Sequence, residues 1–336
     1  MKCIRIGFIG TGFQGRDLIR RLAEKESYVK VTAVSDINRE SAQETADLYG
    51  LKVYATGQEL IASQEVDAVA VTSWGETHEE YVLQAIAHNK PVFCEKPLAT
   101  TREGCMKIVK AELDAGKKYV QVGFMRRFDR RYQDLKKVLD SKEAGNILLM
   151  HCAHRNKEVG ATYTSDMVVT DMMVHEIDIV RWLTGKEIMA VQILKPKSSI
   201  HANQNTNFPL YGIFELEDGT IVDVEANAAA YFGYEVTCEV VGENAVVSLP
   251  QMNPVTVKAK NKKEEFLPSL WTERFDQAYE DEILAWAESL KKGKADGPDS
   301  FDGYMAAVCT DACLQSLHEG GRILTDKMER PNLFIK

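Results

Sequence analysis

The chain has 336 residues, of which 45% are apolar and 27% are charged, a balance typical of globular proteins with a sizeable core. Its formal net charge of -9 argues against nucleic-acid binding, because an acidic surface repels phosphates. The seven cysteines include no CxxC pair, which fits a reducing compartment rather than a disulfide framework. No signal-peptide pattern or membrane-spanning apolar run occurs, so we expect a cytoplasmic protein without a membrane partner.

Strand-like and helix-like patterns alternate along the first 124 residues. The predicted strands are Ile4–Gly10, Val29–Asp36, Asp67–Ser73, Pro91–Glu95 and Tyr119–Phe124, and the predicted helices are Phe13–Glu26, Arg39–Tyr49, Thr77–His88 and Thr101–Ala115. Alternation of this kind is typical of α/β proteins with a parallel, doubly wound sheet. We therefore predict a Rossmann domain over residues 1–124.

The pattern changes after residue 124, where strands follow one another directly. The predicted strands are Ile147–Arg155, Ala190–Leu194, Leu210–Leu216, Thr220–Ala229, Glu235–Val241 and Ala245–Leu249, and the predicted helices are Arg131–Leu139, Val174–Thr184, Arg274–Lys291 and Tyr304–His318. Consecutive strands indicate antiparallel pairing. Residues 125–336 are therefore expected to form an α+β domain with an open, largely antiparallel sheet.

A glycine motif, Gly10-x-Gly12-x-x-Gly15, lies between the first predicted strand and helix. In that context the motif indicates a dinucleotide site, with the pyrophosphate at the helix N-terminus. Asp36 ends the second strand, where a carboxylate binds ribose hydroxyls and repels a 2′-phosphate. This favours NAD, although nearby Arg39 is compatible with NADP. The alternative is an ordinary tight turn with Asp36 as a helix cap.

The stretch FCEKPLA places Lys96 directly after a predicted strand. Ligands of open α/β sheets bind beyond the carboxyl ends of the strands, which makes Lys96 a candidate functional residue. Pro97 restricts Lys96 to extended geometry and permits a cis peptide bond. The residues alone leave open whether Lys96 is instead a solvated lysine paired with Glu95.

A second candidate centre is the stretch DMMVHEIDIVRWL, which contains Asp171 and His175. Residues four apart share one face of a helix, and a carboxylate tunes and orients an imidazole that acts as a general base. A core histidine or a helix cap is the alternative. Asp178 is a further candidate for this role, and Glu176 is expected to point into solvent.

No metal site is expected. His151 and His154 lie three apart on a predicted strand and therefore face opposite sides of the sheet. His154 and Asn156 share a face, and both can bind hydroxyl groups. The run Phe124–Tyr132 contains four arginines, but it is too short, and the chain too acidic, for a nucleic-acid-binding patch. We therefore expect these arginines to lie at a domain junction or to face a ligand. No GxSxG or other nucleophile motif occurs, and hydride transfer is the remaining chemistry.

The stretches GFIGTGFQG, EKPLATT, QVGFMRR and DMMVHEIDIVRWL together make nearly the whole chain resemble the glucose–fructose oxidoreductase/inositol dehydrogenase/MocA family. VTSWGETHE, HCAHRNKEVGATYTSDM and GPDSFDGYMAAV are similar to its branch of bacterial inositol 2-dehydrogenases. The resemblance implies a homotetramer that oxidises myo-inositol to 2-keto-myo-inositol (scyllo-inosose) with NAD. It also implies that His175 takes the hydroxyl proton, Asp171 orients His175, and Lys96 hydrogen-bonds the reacting oxygen.

The motifs and the resemblance together assign three sets of residues. The catalytic set is Lys96, Asp171 and His175. The cofactor set is Gly10, Gly12, Phe13, Gln14, Gly15, Asp36, Thr72, Ser73, Trp74, His78, Glu95 and Lys96. The substrate set is Lys96, Arg126, His154, Asn156, Asp171, His175 and Tyr234, with Tyr279 as a further candidate. Phe13 and Gln14 are bulkier than the family pattern, and Lys197–Pro209 matches it poorly.

Three other functions remain open at this level. The first is a dehydrogenase of scyllo-inositol, chiro-inositol or a sugar, since the sequence does not fix which hydroxyl is oxidised. The second is a glycosidase that uses NAD transiently. The third is an NAD-responsive sensor, against which the joint presence of Lys96, Asp171 and His175 argues, because a sensor needs no proton-transfer groups.

Overall fold

The structure is a computed structural model that describes residues 3–25, 28–250, 256–265 and 267–335. The chain forms two compact units. The first comprises Met1–Met125, Tyr279–Ala307 and Met328–Lys336, and the second comprises Arg126–Ala278 and Val308–Lys327. The predicted boundary at residue 124 lies next to the first change of unit, but the two C-terminal segments of the first unit differ from the predicted division.

A six-stranded parallel sheet forms the centre of the first unit. Its strands are β1 (Ile4–Ile9), β2 (Val29–Ser35), β3 (Lys52–Val53), β4 (Ala68–Val71), β5 (Val92–Glu95) and β6 (Val120–Gly123). Their order, β3-β2-β1-β4-β5-β6, is that of a doubly wound nucleotide-binding sheet, and it reverses direction between β1 and β4. All neighbouring strands pair in parallel, which confirms the predicted Rossmann architecture.

Five helices connect these strands. They are α1 (Phe13–Ala23), α2 (Arg39–Tyr49), α3 (Gly57–Ala62), α4 (His78–Ala87) and α5 (Arg102–Ala115). Side-chain caps define where α2 and α5 begin, since Asn38 and Thr101 accept hydrogen bonds from backbone N–H groups of the first turn. Every residue of β4 is buried, which explains its continuous apolar sequence. The short elements β3 and α3 had no distinct sequence signal.

A seven-stranded sheet forms the centre of the second unit. Its strands are β7 (Ile147–Arg155), β8 (Ile188–Leu194), β9 (Leu210–Leu216), β10 (Ile221–Asn227), β11 (Glu235–Gly242), β12 (Val246–Ser248) and β15 (Arg322–Leu324), while β13 (Thr256–Ala259) and β14 (Lys262–Glu265) form a separate hairpin. The order is β12-β11-β7-β10-β9-β8-β15. Only β7 and β10 pair in parallel among the described strands of this sheet, which confirms the largely antiparallel prediction.

Buried and half-exposed residues alternate along β9, as they do in a strand with one covered face. The helices of the second unit are α6 (Arg130–Asp140), α7 (Ser165–Met167) and α8 (Val174–Thr184), and a π-helical segment, Val168–Met173, precedes α8. Nine of the eleven residues of α8 are buried, so this helix is enclosed by protein on nearly all sides. Its charged residues therefore need partners inside the unit.

Two C-terminal helices, α9 (Trp271–Leu290) and α10 (Ser300–Glu319), each begin in one unit and end in the other. Ile283 and Trp286 of α9 belong to the core of the first unit, together with Phe8 of β1 and Phe93 of β5. The rings of Phe93 and Trp286 lie 5.8 Å apart. The apolar spacing of α9 predicted a helix, but it carried no information on which sheet the helix covers.

None of the helices among the described residues is long and apolar enough to span a bilayer. All seven cysteines are free thiols, as their spacing predicted.

Replacing Trp286 tests this assignment of α9 to the core of the first unit. Trp286 is 0% exposed, so Trp286→Ala should lower the free energy of unfolding by about 3–5 kcal/mol through lost burial and a residual cavity. Urea unfolding followed by circular dichroism measures the change. Trp74→Ala is the matched control, because Trp74 is 77% exposed. Equal destabilisation by both variants would contradict the assignment.

Candidate active site

The glycine loop joins β1 to α1 in the first unit. Gly10 has a φ of +103°, and a Cβ there would lie 2.5 Å from the Ser73 nitrogen. A Cβ on Gly15 would lie 2.1 Å from the Gly10 oxygen, so both positions require glycine. A Cβ on Gly12 would meet no atom within 4 Å, which leaves open space in front of the helix. Gly12 provides no side-chain cap, and the first turn of α1 has no acidic residue, so neither competes with an anion for the helix N-terminus.

Asp36 is held firmly at the end of β2. Its Oδ2 accepts hydrogen bonds from the backbone nitrogen and the hydroxyl of Thr11, at 2.6 and 3.0 Å. Its Oδ1 accepts a hydrogen bond from the Asn38 nitrogen at 2.7 Å. A carboxylate offers about four acceptor positions, so the fixed Asp36 retains acceptor capacity for a hydroxyl group.

A cavity of about 990 Å³ lies where the strand order reverses. Its wall contains eight predicted cofactor residues: Gly10, Gly12, Phe13, Gln14, Asp36, Thr72, Ser73 and Trp74. The sequence analysis missed other wall residues, which include Ile37, Asn38, Ser41, Gln58 and Tyr81. Phe13 and Trp74 are 70% and 77% exposed. The open space at Gly12, the free helix N-terminus and the fixed carboxylate together fit a dinucleotide.

Lys96 follows β5, and its peptide bond to Pro97 is cis, the geometry that the sequence permits. Its backbone nitrogen donates a hydrogen bond to Glu95 Oε2 at 3.2 Å. Burial raises the pKa of Glu95 to about 7, although the charge of Lys96 acts in the opposite direction. The Gln14 side chain also acts to lower the pKa of Glu95, although neither Gln14 Nε2 nor Glu95 Oε1, both buried, makes a hydrogen bond of good geometry among the described residues. Such atoms fit a site that a ligand completes.

A buried charge cluster lies in the second unit, between the start of the unit and α8. Arg126 and Glu176 are each 1% exposed, and Arg126 Nη1 donates to Glu176 Oε1. Burial alone would raise the pKa of Glu176, but the charge and hydrogen bond of Arg126, together with the contribution of His154, outweigh burial and the pKa is lowered to about 2. The prediction that Glu176 points into solvent is therefore wrong. Its partner is one of the arginines in the run Phe124–Tyr132.

This pair also orients His154, which is 5% exposed. Arg126 Nη2 lies 3.0 Å from His154 Nδ1, whereas Glu176 Oε2 lies 3.4 Å from the same atom. Because a guanidinium can only donate, the shorter contact makes Nδ1 an acceptor and places the ring hydrogen on Nε2. Nε2 lies 3.3 Å from the hydroxyl of Tyr234. The Tyr234 oxygen therefore accepts from His154, and its own hydrogen is free for another acceptor.

His175 and Asp171 lie on either side of the change from the π-helical segment to α8. His175 is 7% exposed, and its ring centre lies 6.3 Å from that of His154. Asp171 is exposed, and its Oδ2 accepts a hydrogen bond from the Tyr163 hydroxyl at 3.0 Å. The sequence analysis assumed that Asp171 and His175, four residues apart, share one face of an α-helix. Asp171 instead lies in a π-helical segment, where this spacing rule does not hold. Segments of this kind are frequent at functional sites.

The remaining predicted residues have separate surroundings. Asp178 pairs with Arg127, whose Nε and Nη2 lie 3.0 and 2.5 Å from its two oxygens, and Asp178 is 1% exposed. Asn156 follows β7, with its backbone nitrogen donating to the Asn227 oxygen at 2.8 Å. Tyr279 is buried and belongs to the first unit rather than the second.

His151 and His154 lie on opposite sides of β7, as predicted. His151 is half-exposed and contacts Asp223 Oδ2 at 2.5 Å, whereas His154 is buried against Arg126. Within the part of the chain that the structure describes, no three His, Cys, Asp or Glu side chains are grouped to hold a metal ion.

Comparison with known families covers most of both units. Residues 4–124 match the family described as "Oxidoreductase family, NAD-binding Rossmann fold", and residues 132–248 match the GFO/IDH/MocA C-terminal domain. The chain belongs to the GFO/IDH/MocA family. The first unit of this family member is accordingly an NAD-binding Rossmann domain, in agreement with the cavity geometry.

Curated GFO/IDH/MocA relatives match over nearly the full length. Inositol 2-dehydrogenase of Burkholderia cenocepacia (strain HI2424) is 44% identical over 333 residues, which cover 98% of this chain and 99% of the relative. Inositol 2-dehydrogenase of Serratia proteamaculans (strain 568) is 43% identical over 335 residues, 99% of each chain.

Solved structures of the family also match this chain over nearly its full length. Myo-inositol dehydrogenase from Lactobacillus casei, in complex with NAD(H) and myo-inositol, is 35% identical, with a TM-score of 0.96 and 99% of each chain covered. Scyllo-inositol dehydrogenase from the same organism, with NAD(H) and scyllo-inositol, is 26% identical, with a TM-score of 0.89 over 96% of this chain and 99% of that one.

The Arg126–Glu176 pair predicts a specific response to mutation and acid. Glu176→Gln should cost about 3–5 kcal/mol at pH 7, because it leaves a buried guanidinium without a counter-charge. The pKa of Glu176 is lowered from 4.5 to about 2, so the pair stabilises the fold above pH 4.5 and loses its contribution as the pH falls toward 2. The difference between wild type and variant in urea unfolding should shrink over that range.

Glu215→Gln is the control for this prediction, since Glu215 pairs with Arg322 on the surface of the same unit. Exposed pairs contribute only about 0–1 kcal/mol. A Glu176→Gln variant as stable as Glu215→Gln at pH 7 would contradict the importance of the buried pair.

Proposed function

We propose that this protein is an NAD-dependent inositol 2-dehydrogenase, which oxidises myo-inositol to 2-keto-myo-inositol. The observation that carries this proposal is the 44% identity to a curated enzyme of that name over 98% of the chain, which includes both units. The 35% identity to the Lactobacillus casei enzyme, solved with NAD(H) and myo-inositol, supports it.

The cavity of the first unit is proposed to bind NAD. The N–H groups of α1 face the pyrophosphate across Gly12, and Asp36 accepts hydrogen bonds from the adenosine ribose. Phe13, Gln14, Thr72, Ser73 and Trp74 complete the wall of the cavity. Glu95, the last residue of β5, and Lys96 after it are proposed to contact the cofactor from outside this wall. Bound NAD supplies the hydride acceptor.

Lys96, Asp171 and His175 are proposed to handle the proton of the reacting hydroxyl. As hydride leaves the carbon, His175 accepts the hydroxyl proton and the C–O bond becomes a ketone. Asp171 orients His175, and Tyr163 holds Asp171 through the 3.0 Å hydrogen bond. Lys96 donates a hydrogen bond to the reacting oxygen, which stabilises the negative charge that develops there.

The other polar groups of the second unit are proposed to recognise the remaining hydroxyls. Tyr234 donates its free hydrogen to a substrate oxygen, and His154 and Asn156 contribute further hydrogen bonds. Arg126 acts through His154 and Glu176, because its side chain is 1% exposed. A site with several fixed donors and acceptors rejects polyols that lack a matching hydroxyl. Tyr279 stays a candidate from the first unit.

We also propose a cytoplasmic homotetramer. The family resemblance implies assembly through the open face of the seven-stranded sheet. On that face Tyr211 and Ile213 of β9 and Leu149 of β7 are partly exposed. These side chains lie among charged pairs such as Arg155–Glu225, a mixture suited to a protein interface.

An absorbance assay for reduced nicotinamide tests the proposed activity. Purified protein is mixed with NAD or NADP and, separately, with myo-inositol, scyllo-inositol, chiro-inositol and glucose. We expect an increase with NAD and myo-inositol. A larger rate with scyllo-inositol or with NADP would change the assigned specificity, and no increase with any polyol would refute the dehydrogenase assignment.

Lys96→Ala and His175→Ala test the proposed catalytic roles. Each should lower kcat about 10²–10⁴-fold, because the proton of the reacting hydroxyl loses its acceptor or the oxygen loses its donor. The affinity of His175→Ala for NAD, measured by calorimetry, should stay close to wild type. Lys110→Ala on α5 and His88→Ala at the end of α4 are exposed controls. Full turnover in either test variant, or loss of NAD binding in His175→Ala, would show that the roles are misassigned.

A further inference from the structure

His78 is the first residue of α4 and is 1% exposed, although the sequence resemblance placed it along the cofactor. Its neighbours Thr77 and Tyr81 belong to the cavity wall. The ring itself is enclosed by protein and directs both of its nitrogens at backbone carbonyl groups. This raises the question of what a buried imidazole does beside a cofactor cavity.

Each ring nitrogen of His78 contacts a different turn. Nδ1 lies 2.6 Å from the Pro97 oxygen, and Nε2 lies 3.0 Å from the Ser73 oxygen. A carbonyl oxygen only accepts, so a neutral ring donates to one of these groups and a protonated ring donates to both. Burial lowers the pKa of His78, although the two carbonyls act to raise it. In the neutral ring the shorter contact assigns the hydrogen to Nδ1 and the bond to Pro97.

The two turns extend beyond the point where the sheet holds them together. Paired residues of β4 and β5 end with Val71 and Cys94. Ser73 and Pro97 lie past that limit, where the backbone ladder no longer fixes the distance between them. His78 lies there against both turns: in its neutral form it donates to the Pro97 oxygen, while Nε2 contacts the Ser73 carbonyl without a hydrogen between them.

Each of these turns lies next to a predicted site residue, Trp74 for the first turn and Lys96 for the second. The first turn is fixed internally, because the Ser73 and Thr77 hydroxyls lie 2.7 Å apart and the Thr77 nitrogen donates to the Trp74 oxygen at 2.9 Å. It presents Trp74 to the cavity. The second turn follows Lys96 directly. The position of His78 therefore affects Trp74 and Lys96 without contact between the imidazole and either side chain being required.

We propose that His78 is a positioning residue, which holds the Pro97 turn and the Ser73 turn at the separation that the nicotinamide end of the cofactor and Lys96 require. The part concerning Lys96 rests on the proposed function, whereas the part concerning the cofactor rests on the NAD-binding fold. In this view His78 contributes to cofactor affinity through the two turns and not through a hydrogen bond to the cofactor.

The test compares His78→Phe, which removes both ring nitrogens, with His78→Gln, which keeps a donor. Calorimetry measures the Kd of NAD and of ADP, and the absorbance assay gives kcat and KM. For His78→Phe we expect a roughly tenfold weaker Kd for NAD, the size of one lost hydrogen bond, and a lower kcat. ADP affinity should change much less, because His78 has no described hydrogen bond to the glycine loop or to Asp36. His78→Gln should recover part of the loss.

His88→Phe is the control, since His88 lies at the other end of α4, is exposed and contacts only the Gln84 oxygen among its described hydrogen-bond partners. It should match wild type in every measurement. Unchanged NAD affinity in His78→Phe would overturn the proposal. Equal losses for NAD and ADP together with a lower melting temperature would also overturn it, because they indicate a general structural role. If His78→Phe does not fold, the NAD-to-ADP ratio in His78→Gln decides between the same outcomes.

The calorimetric measurement of NAD and ADP affinity does not depend on the proposed inositol dehydrogenase activity. If wild-type protein does not oxidise any inositol, that proposal fails, while the Kd values for NAD and ADP still decide whether His78 positions the cofactor-side turns.

Discussion

The second unit depends on burying a helix that carries charge. Nine of the eleven residues of α8 are buried, and these include His175, Glu176, Asp178 and Arg181. Buried charges are costly unless each is paired, and the fold supplies the partners from neighbouring segments. Arg126 pairs with Glu176 and Arg127 with Asp178, while Glu187 pairs with Arg181. The ion pairs of Arg126 and Arg127 thus fix the position of α8 within the unit, and with it the position of His175.

The same pairing determines the hydrogen-bond directions around the candidate substrate groups. Arg126 donates to both Glu176 and His154, so His154 has its hydrogen on Nε2 and Tyr234 becomes a donor to any further group. The direction of each bond is therefore set by a guanidinium that remains buried. In the first unit the site geometry is fixed by backbone contacts instead. Gly10 and Gly15 permit close contacts that any side chain would prevent.

The sequence predicted those features that depend on local spacing. Strands such as β7 and β9, the glycine loop and the carboxylate at Asp36 all follow from patterns within about 30 residues. The sequence did not predict features that depend on which other segments pack against a helix or strand. Glu176 was expected in solvent because a helical pattern reveals one apolar face but not that the opposite face is also enclosed. For the same reason α9 was recognised as a helix, yet its place on the first sheet was not. His78 was assigned to the cofactor, because neither its burial nor its contact with the Pro97 carbonyl, 19 residues away, follows from local spacing.

The cavity of the first unit also shows how an acidic protein accommodates an anionic cofactor. Asp36 is the charged residue among the described residues that line it, and the lining contains no lysine or arginine. Arg16 lies nearby, but its guanidinium bonds the Thr11 oxygen, the Ser41 hydroxyl and Glu44. The pyrophosphate must therefore be bound by backbone N–H groups and the dipole of α1. A 2′-phosphate would be repelled by the Asp36 carboxylate, which favours NAD, whereas the exposed Arg39 at the start of α2 is the nearby cation that could offset this repulsion.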